Sequence, residues 1–146
     1  GDAAPPPADK VAAIHRHPGF TSSQEPVLDI EALDNLGELD PDPAFLRDVI
    51  GDYLREAREL LDEARQAHDR GDLSGLRDAA HALRSSSANI GARRLHRLAS
   101  ELNDGPAHQL RADGAQKLNE LEDELTRFYD AVHSYLSNKT ATTFLL

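Results

Sequence analysis

The sequence predicts an all-α fold: an antiparallel up-down four-helix bundle with a short additional N-terminal helix. Three observations carry this. Leu and Ala supply most of the apolar content, and Arg, Glu and Asp most of the charge, while β-branched residues are scarce; these are good helix formers and poor strand formers. Apolar residues recur with a 3.6-residue period over several long stretches. Each stretch is bounded by a cap or a breaker and joined to the next by a short connection, which makes sequential helices antiparallel neighbours.

The first helix is expected over roughly Asp29 to Gly37, with Ile30, Leu33 and Leu36 on one side. Asp42 followed by Pro43 then marks a strong start, an N-cap acid before proline at the first helical position. The helix that follows carries Phe45, Leu46, Val49, Ile50, Tyr53, Ala57, Leu60, Leu61 and Ala64, and Arg70-Gly71 ends it. Asp72 caps the next, which carries Leu73, Leu76, Ala80, Leu83, Ser87 and Ile90 and stops at Gly91. A shorter helix with Leu95, Leu98, Ala99 and Leu102 is stopped by Gly105-Pro106. The last carries Leu110, Leu118, Leu121, Leu125, Phe128, Val132, Tyr135 and Leu136, with Gly114 weakening its first turns. Residues 27–137 therefore read as the bundle. Residues 1–26, with Pro5-Pro6-Pro7 and His17-Pro18-Gly19, read as a Pro-rich linker or lead-in. Residues 138–146 are Thr-rich and without periodicity, and read as a disordered or non-native tail.

At 146 residues the chain suits one domain. A formal net charge of −10 disfavours nucleic acid and anionic lipid as partners. There is no Cys, so no disulfide, thiol nucleophile or Cys-ligated metal. No apolar run is long enough to span a membrane and no signal peptide is evident, so a cytoplasmic site is expected.

One polar residue stands apart from this plan. The apolar positions from Leu73 to Ile90 fall in a band roughly 120° wide at about 100° per residue, and His81 lies well over 100° from its centre. It points outward, with Arg77, Asp78, Arg84 and Ser85 one turn away and Ser74 and Ala88 two turns away. An exposed imidazole is partly deprotonated near neutral pH and suits nucleophilic attack on an acyl phosphate. Arg77 and Arg84 would neutralise phosphoryl oxygens, and small residues at Ser85 and Ala88 leave room for a partner. By spacing alone, a solvated surface histidine among ordinary arginines is the favoured reading.

The run His81-Ala82-Leu83-Arg84-Ser85-Ser86-Ser87-Ala88-Asn89-Ile90-Gly91-Ala92 changes that balance. It resembles the signature of histidine-phosphotransfer (HPt) domains, His-x-Leu-Lys-Gly-Ser-Ser followed by Gly-Ala. His81, Leu83, Ser86, Ser87, Gly91 and Ala92 fall in register, and the helical layout agrees from about Leu28 to Leu136. The resemblance implies a phosphorelay module, a phosphocarrier rather than an enzyme. His81 would accept a phosphoryl group through Nε2 from a receiver-domain aspartate and pass it to a response-regulator receiver. It further implies phosphoryl stabilisation by Arg84, at the family's usual lysine, with Ser85 and Arg77, and partner docking over Ala88, Ser74 and Asp78. No cofactor is implied on this chain, Mg2+ being expected on the receiver. Such domains often end hybrid sensor kinases, and the lead-in and first helix resemble those of the diffusible-signal-factor quorum-sensing type. The whole protein could thus be tethered to a membrane-bound kinase. Ser85 departs from the family's glycine, which puts the transfer rate in doubt. The alternative is a receiver-docking bundle without phosphotransfer. Ser87 lies in the apolar band, where packing against a neighbouring helix, with its hydroxyl bonded to the preceding turn, is expected.

Other constellations weigh less. Asp78-x-x-His81 and Asp130-x-x-His133 have the spacing of carboxylate–histidine metal ligands, but His81 faces outward and the acids are Asp. A Ser–His hydrolase lacks a nucleophile elbow and an oxyanion hole. Arg93, Arg94, His96 and Arg97 form the one basic concentration, read as a solvated face, or more sharply as a landing zone for an acidic receiver surface. The module is expected to be monomeric.

Overall fold

The computed structural model describes residues 25–145, with side chains described through Lys139. The expected linker lies almost wholly outside the described residues. Five helices follow in order: α1 (Ile30–Gly37), α2 (Pro43–Asp69), α3 (Leu73–Asn89), α4 (Arg93–Asp104) and α5 (Ala107–Leu145). There is no strand among the described residues.

The predicted caps set the boundaries. Asp29 accepts a hydrogen bond from the Ala32 backbone N–H, Asp42 from that of Ala44, and Asp72 from that of Gly75. Each satisfies a donor that a helix start would otherwise leave open. At the other ends, Gly71 and Gly91 take φ of 73° and 77°, the left-handed conformation that closes a helix most cheaply with glycine. The carbonyls of Ala67 and Ser87 then accept from the N–H groups of Asp72 and Ala92, at 2.8 and 2.9 Å.

Each long helix packs on its chain neighbour, and α5 returns to pack on α2, closing a ring of four with α1 laid against α2. The core is the predicted set of stripes. Leu46, Ile50, Tyr53, Ala57, Leu61 and Ala64 of α2 meet Leu76, Ala80 and Leu83 of α3, Leu95, Leu98, Ala99 and Leu102 of α4, and Leu110, Leu118, Leu121, Leu125, Phe128 and Val132 of α5, all buried. The Tyr53 and Phe128 rings meet edge to face, centroids 5.4 Å apart, a favoured arrangement for aromatic quadrupoles.

Two expectations are corrected, and a third gains a second reason. The stretch from 138 to 145, expected as an irregular tail, continues the helical backbone of α5 to Leu145. Ile30, expected on the apolar side of α1, is 56% exposed, whereas Leu33 is fully buried, with Val27 and Leu28 ahead of the helix packed on the core. The chain thus anchors α1 from its lead-in as well as from its own stripe. Gly114 is no mere weak point in α5: it is buried, and a Cβ there would stand 2.6–2.7 Å from the His68 ring of α2. Only a missing side chain lets that ring lie against the α5 backbone.

Candidate functional site

The site grows from the middle of α3. Leu76, Ala80, Leu83 and Ser87 bury one face of that helix, so the 3.6-residue repeat turns His81 to the opposite face, where it is exposed. Its Nδ1 lies 3.3 Å from a terminal guanidinium nitrogen of Arg84, one turn on. A guanidinium only donates. In this contact Nδ1 is therefore the acceptor, and a neutral ring carries its proton on Nε2. Among the described residues Nε2 makes no hydrogen bond.

Arg84 is held from two further directions. Its other terminal nitrogen stands 3.6 Å from an Asp104 carboxylate oxygen at the end of α4. Its backbone carbonyl lies 3.1 Å from His96 Nδ1; a carbonyl only accepts, so that nitrogen of His96 carries hydrogen. The α3–α4 side of the site is thus a polar lattice. Arg77 adds to it by donating to the Gly105 carbonyl at 2.6 Å, while its Nε is buried without a partner. The other side is open. Leu60 and Glu63 of α2 and Gly75, Asp78, Ala79 and Ala82 of α3 line a groove of about 350 Å³ between the two helices, which His81 itself does not line.

The residues singled out in the sequence divide accordingly. His81 and Arg84 are brought together. Ser74, Asp78, Ser85 and Ala88 are exposed on α3, and Asp78 borders the groove. Arg77 is turned to the α4–α5 turn, where it ties down a carbonyl at the end of α4. Ser86 bonds back to the carbonyls of Ala82 and Leu83, at 3.2 and 3.3 Å. Ser87, expected to bond its own preceding turn, instead meets the Tyr53 hydroxyl across the α2–α3 interface at 2.7 Å. Burial pushes the Tyr53 phenol above its ordinary range, so it stays protonated and available for that bond.

The basic run on α4 is part exposed, at Arg93, and part half-buried, at Arg94, His96 and Arg97, and its arginines are engaged within the chain. Arg93 makes two bonds to Asp29, at 3.0 and 2.7 Å. Arg94 donates to the Glu25 carbonyl at 2.8 Å and lies 3.6 Å from the buried Glu124 carboxylate. Arg97 pairs with Glu25 at 2.8 Å and Glu101 at 3.1 Å. These arginines pin the segment entering α1. His133 is exposed, stacked on Tyr129 at 4.2 Å. No three side chains of metal-ligating type converge among the described residues.

Sequence reasoning missed Asp104, and it grouped His96 with the basic run of α4 instead of with Arg84. Asp104 carried one signal: an acid in the last turn of a helix opposes the macrodipole, and α4 has no basic residue there to offset it. The bond of His96 to the Arg84 carbonyl carried no signal of its own, because it depends on how α3 and α4 pack together.

Comparison with known proteins bears on the family. The chain is 30% identical over 111 residues to the sensory/regulatory protein RpfC of Xanthomonas campestris pv. campestris, in each of two strains. That alignment covers 76% of this chain and spans about 15% of the length of those relatives. No solved structure matches significantly. No helix among the described residues is long and apolar enough to cross a membrane. Residues 48–133, more than half of the chain and including α3 with His81, match the Hpt domain family, and the chain belongs to that family as a phosphorelay histidine-phosphotransfer module.

Proposed function

We propose that His81 is the phosphoryl acceptor, taking the group from the aspartyl phosphate of one receiver domain and delivering it to the aspartate of another. The observation that carries this reading is the exposed imidazole at the centre of a packed helix, with the Arg84 guanidinium 3.3 Å from its ring. A helix-borne nucleophile has a fixed aim, and the cation beside it is suited to the developing charge on phosphoryl oxygens.

In the transfer the Nε2 lone pair attacks phosphorus. The N–P bond forms as the acyl O–P bond breaks, and the receiver's aspartate leaves as carboxylate. In the neutral ring Nε2 has that lone pair only when the single ring proton is on Nδ1. Arg84 therefore releases Nδ1 as the phosphoryl oxygens draw it away, the Nε2 proton goes to solvent, and Nδ1 takes one up. Ser85, exposed one turn on, offers a hydroxyl to the same oxygens. Arg77 acts at one remove, holding the end of α4 in place. The receiver docks over the open α2–α3 side, bordered by Asp78, with Ser74 and Ala88 on the same helix. It supplies any Mg2+; this chain supplies imidazole, cation and shape, as a monomer in the cytoplasm.

The test is phosphorylation by a radiolabelled receiver domain, comparing wild type with His81→Gln. Acid-labile, alkali-stable label on wild type alone is expected. Arg84→Ala should slow labelling by about tenfold, the loss of one charge-assisted hydrogen bond. Receiver binding without label on wild type would reduce the module to a docking bundle.

A further inference from the structure

We propose that Asp104 is a positioning residue for phosphoryl transfer: it shares the Arg84 guanidinium with the phosphoryl group and so keeps the group on His81 transferable. The proposal rests on His81 being the acceptor.

Arg84 carries one positive charge and is approached on two sides. One terminal nitrogen faces His81 Nδ1 at 3.3 Å, and the other faces Asp104 at 3.6 Å. The two contacts come from different helices, so the guanidinium bridges α3 to the end of α4. Asp104 is 65% exposed and supports no core contact that would explain an acid at that place. Its position is an unfavourable one for its own helix, because the carbonyl end of α4 already carries partial negative charge and no basic residue in that turn relieves it. Arg77 relieves the backbone there by donating to the Gly105 carbonyl at 2.6 Å, and Arg84 is the cation that faces the Asp104 carboxylate itself. Asn103 donates to the other Asp104 oxygen at 2.7 Å, which leaves one carboxylate oxygen directed at Arg84.

When phosphoryl oxygens arrive beside Nε2, they compete with Asp104 for the same guanidinium. Were Arg84 free of Asp104, its full charge would stabilise phosphohistidine and hold the group back from the next receiver. With Asp104 in place, Arg84 has somewhere to return as the N–P bond breaks, so neither direction of transfer is strongly favoured by this chain. His96 limits the motion to the side chain, since its bond to the Arg84 carbonyl ties the backbone to α4 at 3.1 Å.

The experiment is the equilibrium of label between this protein and a receiver domain phosphorylated with radiolabelled acetyl phosphate. It uses wild type, Asp104→Asn, Arg84→Gln and the double variant. Asp104→Asn should shift the equilibrium toward phosphorylated His81 by about threefold, the scale of a solvent-screened ion pair. In the Arg84→Gln background the same change should have almost no effect. A merely structural contact would move thermal stability instead and leave the equilibrium in place. An equal shift in both backgrounds would make Asp104 a simple repulsive charge and overturn the proposal. No shift in the wild-type background would do the same. Label absent from the wild-type protein would overturn the acceptor role of His81, and this proposal with it.

Discussion

At the scale of single residues, the His81–Arg84 contact is made within α3, but three side chains that support it answer to a helix other than their own. Arg84 answers to Asp104, His96 to the Arg84 carbonyl, and Ser87 to Tyr53. The Ser87–Tyr53 pair gives an asymmetric prediction. Ser87→Ala leaves the buried Tyr53 hydroxyl with no partner within α2, at a cost of about 1–3 kcal/mol. Tyr53→Phe leaves a serine that can turn back to the Leu83 carbonyl in its own helix, so about 1 kcal/mol or less is expected. Urea unfolding of both variants checks the order; a costlier Tyr53→Phe would assign the stability to ring packing and not to the hydroxyl pair. That His81 faces outward was legible from the 3.6-residue repeat, and the HPt signature supplied its chemistry. The identity of its neighbours on α4 was not legible, because pairing across helices depends on rotation and register that no single stripe encodes.

Helices and turns were the most legible scale, for a physical reason: caps and breakers act within four residues, so the local sequence holds the whole interaction. Asp42-Pro43, Asp72, Gly71 and Gly91 all act where the sequence puts them. What escapes a local reading is a second duty. Gly91 has a positive φ like Gly71, but it also receives α1, since a Cβ there would lie 2.9 Å from Ala32 and 3.0 Å from Asp29, whereas nothing lies within 4 Å of one at Gly71. Gly71→Ala should cost about 1–2 kcal/mol, the left-handed penalty alone. Gly91→Ala should cost clearly more and loosen α1; equal costs in chemical denaturation would show that α1 shifts aside freely. Gly114 supports a sharper test. Gly114→Ala should destabilise by evicting the His68 ring, yet the same change in a His68→Ala background should stabilise by about 1 kcal/mol, as helix propensity then acts unopposed. A stabilising Gly114→Ala in the intact protein would refute the ring contact.

For the whole molecule, the acidic charge is unevenly employed, and α1 is where it matters most. The four long helices are held by apolar stripes that pH does not touch. The short α1 buries one leucine of its own and depends on carboxylates at both ends. Asp29 is held below its ordinary range chiefly by the Ala32 backbone N–H it accepts and next by Arg93. Asp34 is held down first by the Tyr135 hydroxyl and then by Lys139. A carboxylate depressed on folding contributes stability that is fully present above its unfolded pKa, near 4, and is lost as pH falls through the lower folded value. Acidification below about pH 4 should therefore release α1 before the bundle opens. Asp72 is depressed in the same way by the Gly75 N–H and Arg70, but α3 is retained by Leu76, Ala80 and Leu83 in the core. Amide exchange measured from pH 6 downward should rise in α1 ahead of α2 to α5, and Asp34→Asn should bring that rise to neutral pH. If α1 and α3 lost protection together, the ionic ends of α1 would not be what holds it, and Leu33 with the apolar lead-in would be sufficient. Since α1 rests against Gly91 at the end of α3, its release leaves the His81–Arg84–Asp104 contacts in place, so at neutral pH, where the imidazole keeps its nucleophilic lone pair, the Asp34→Asn variant should still transfer although its α1 is free.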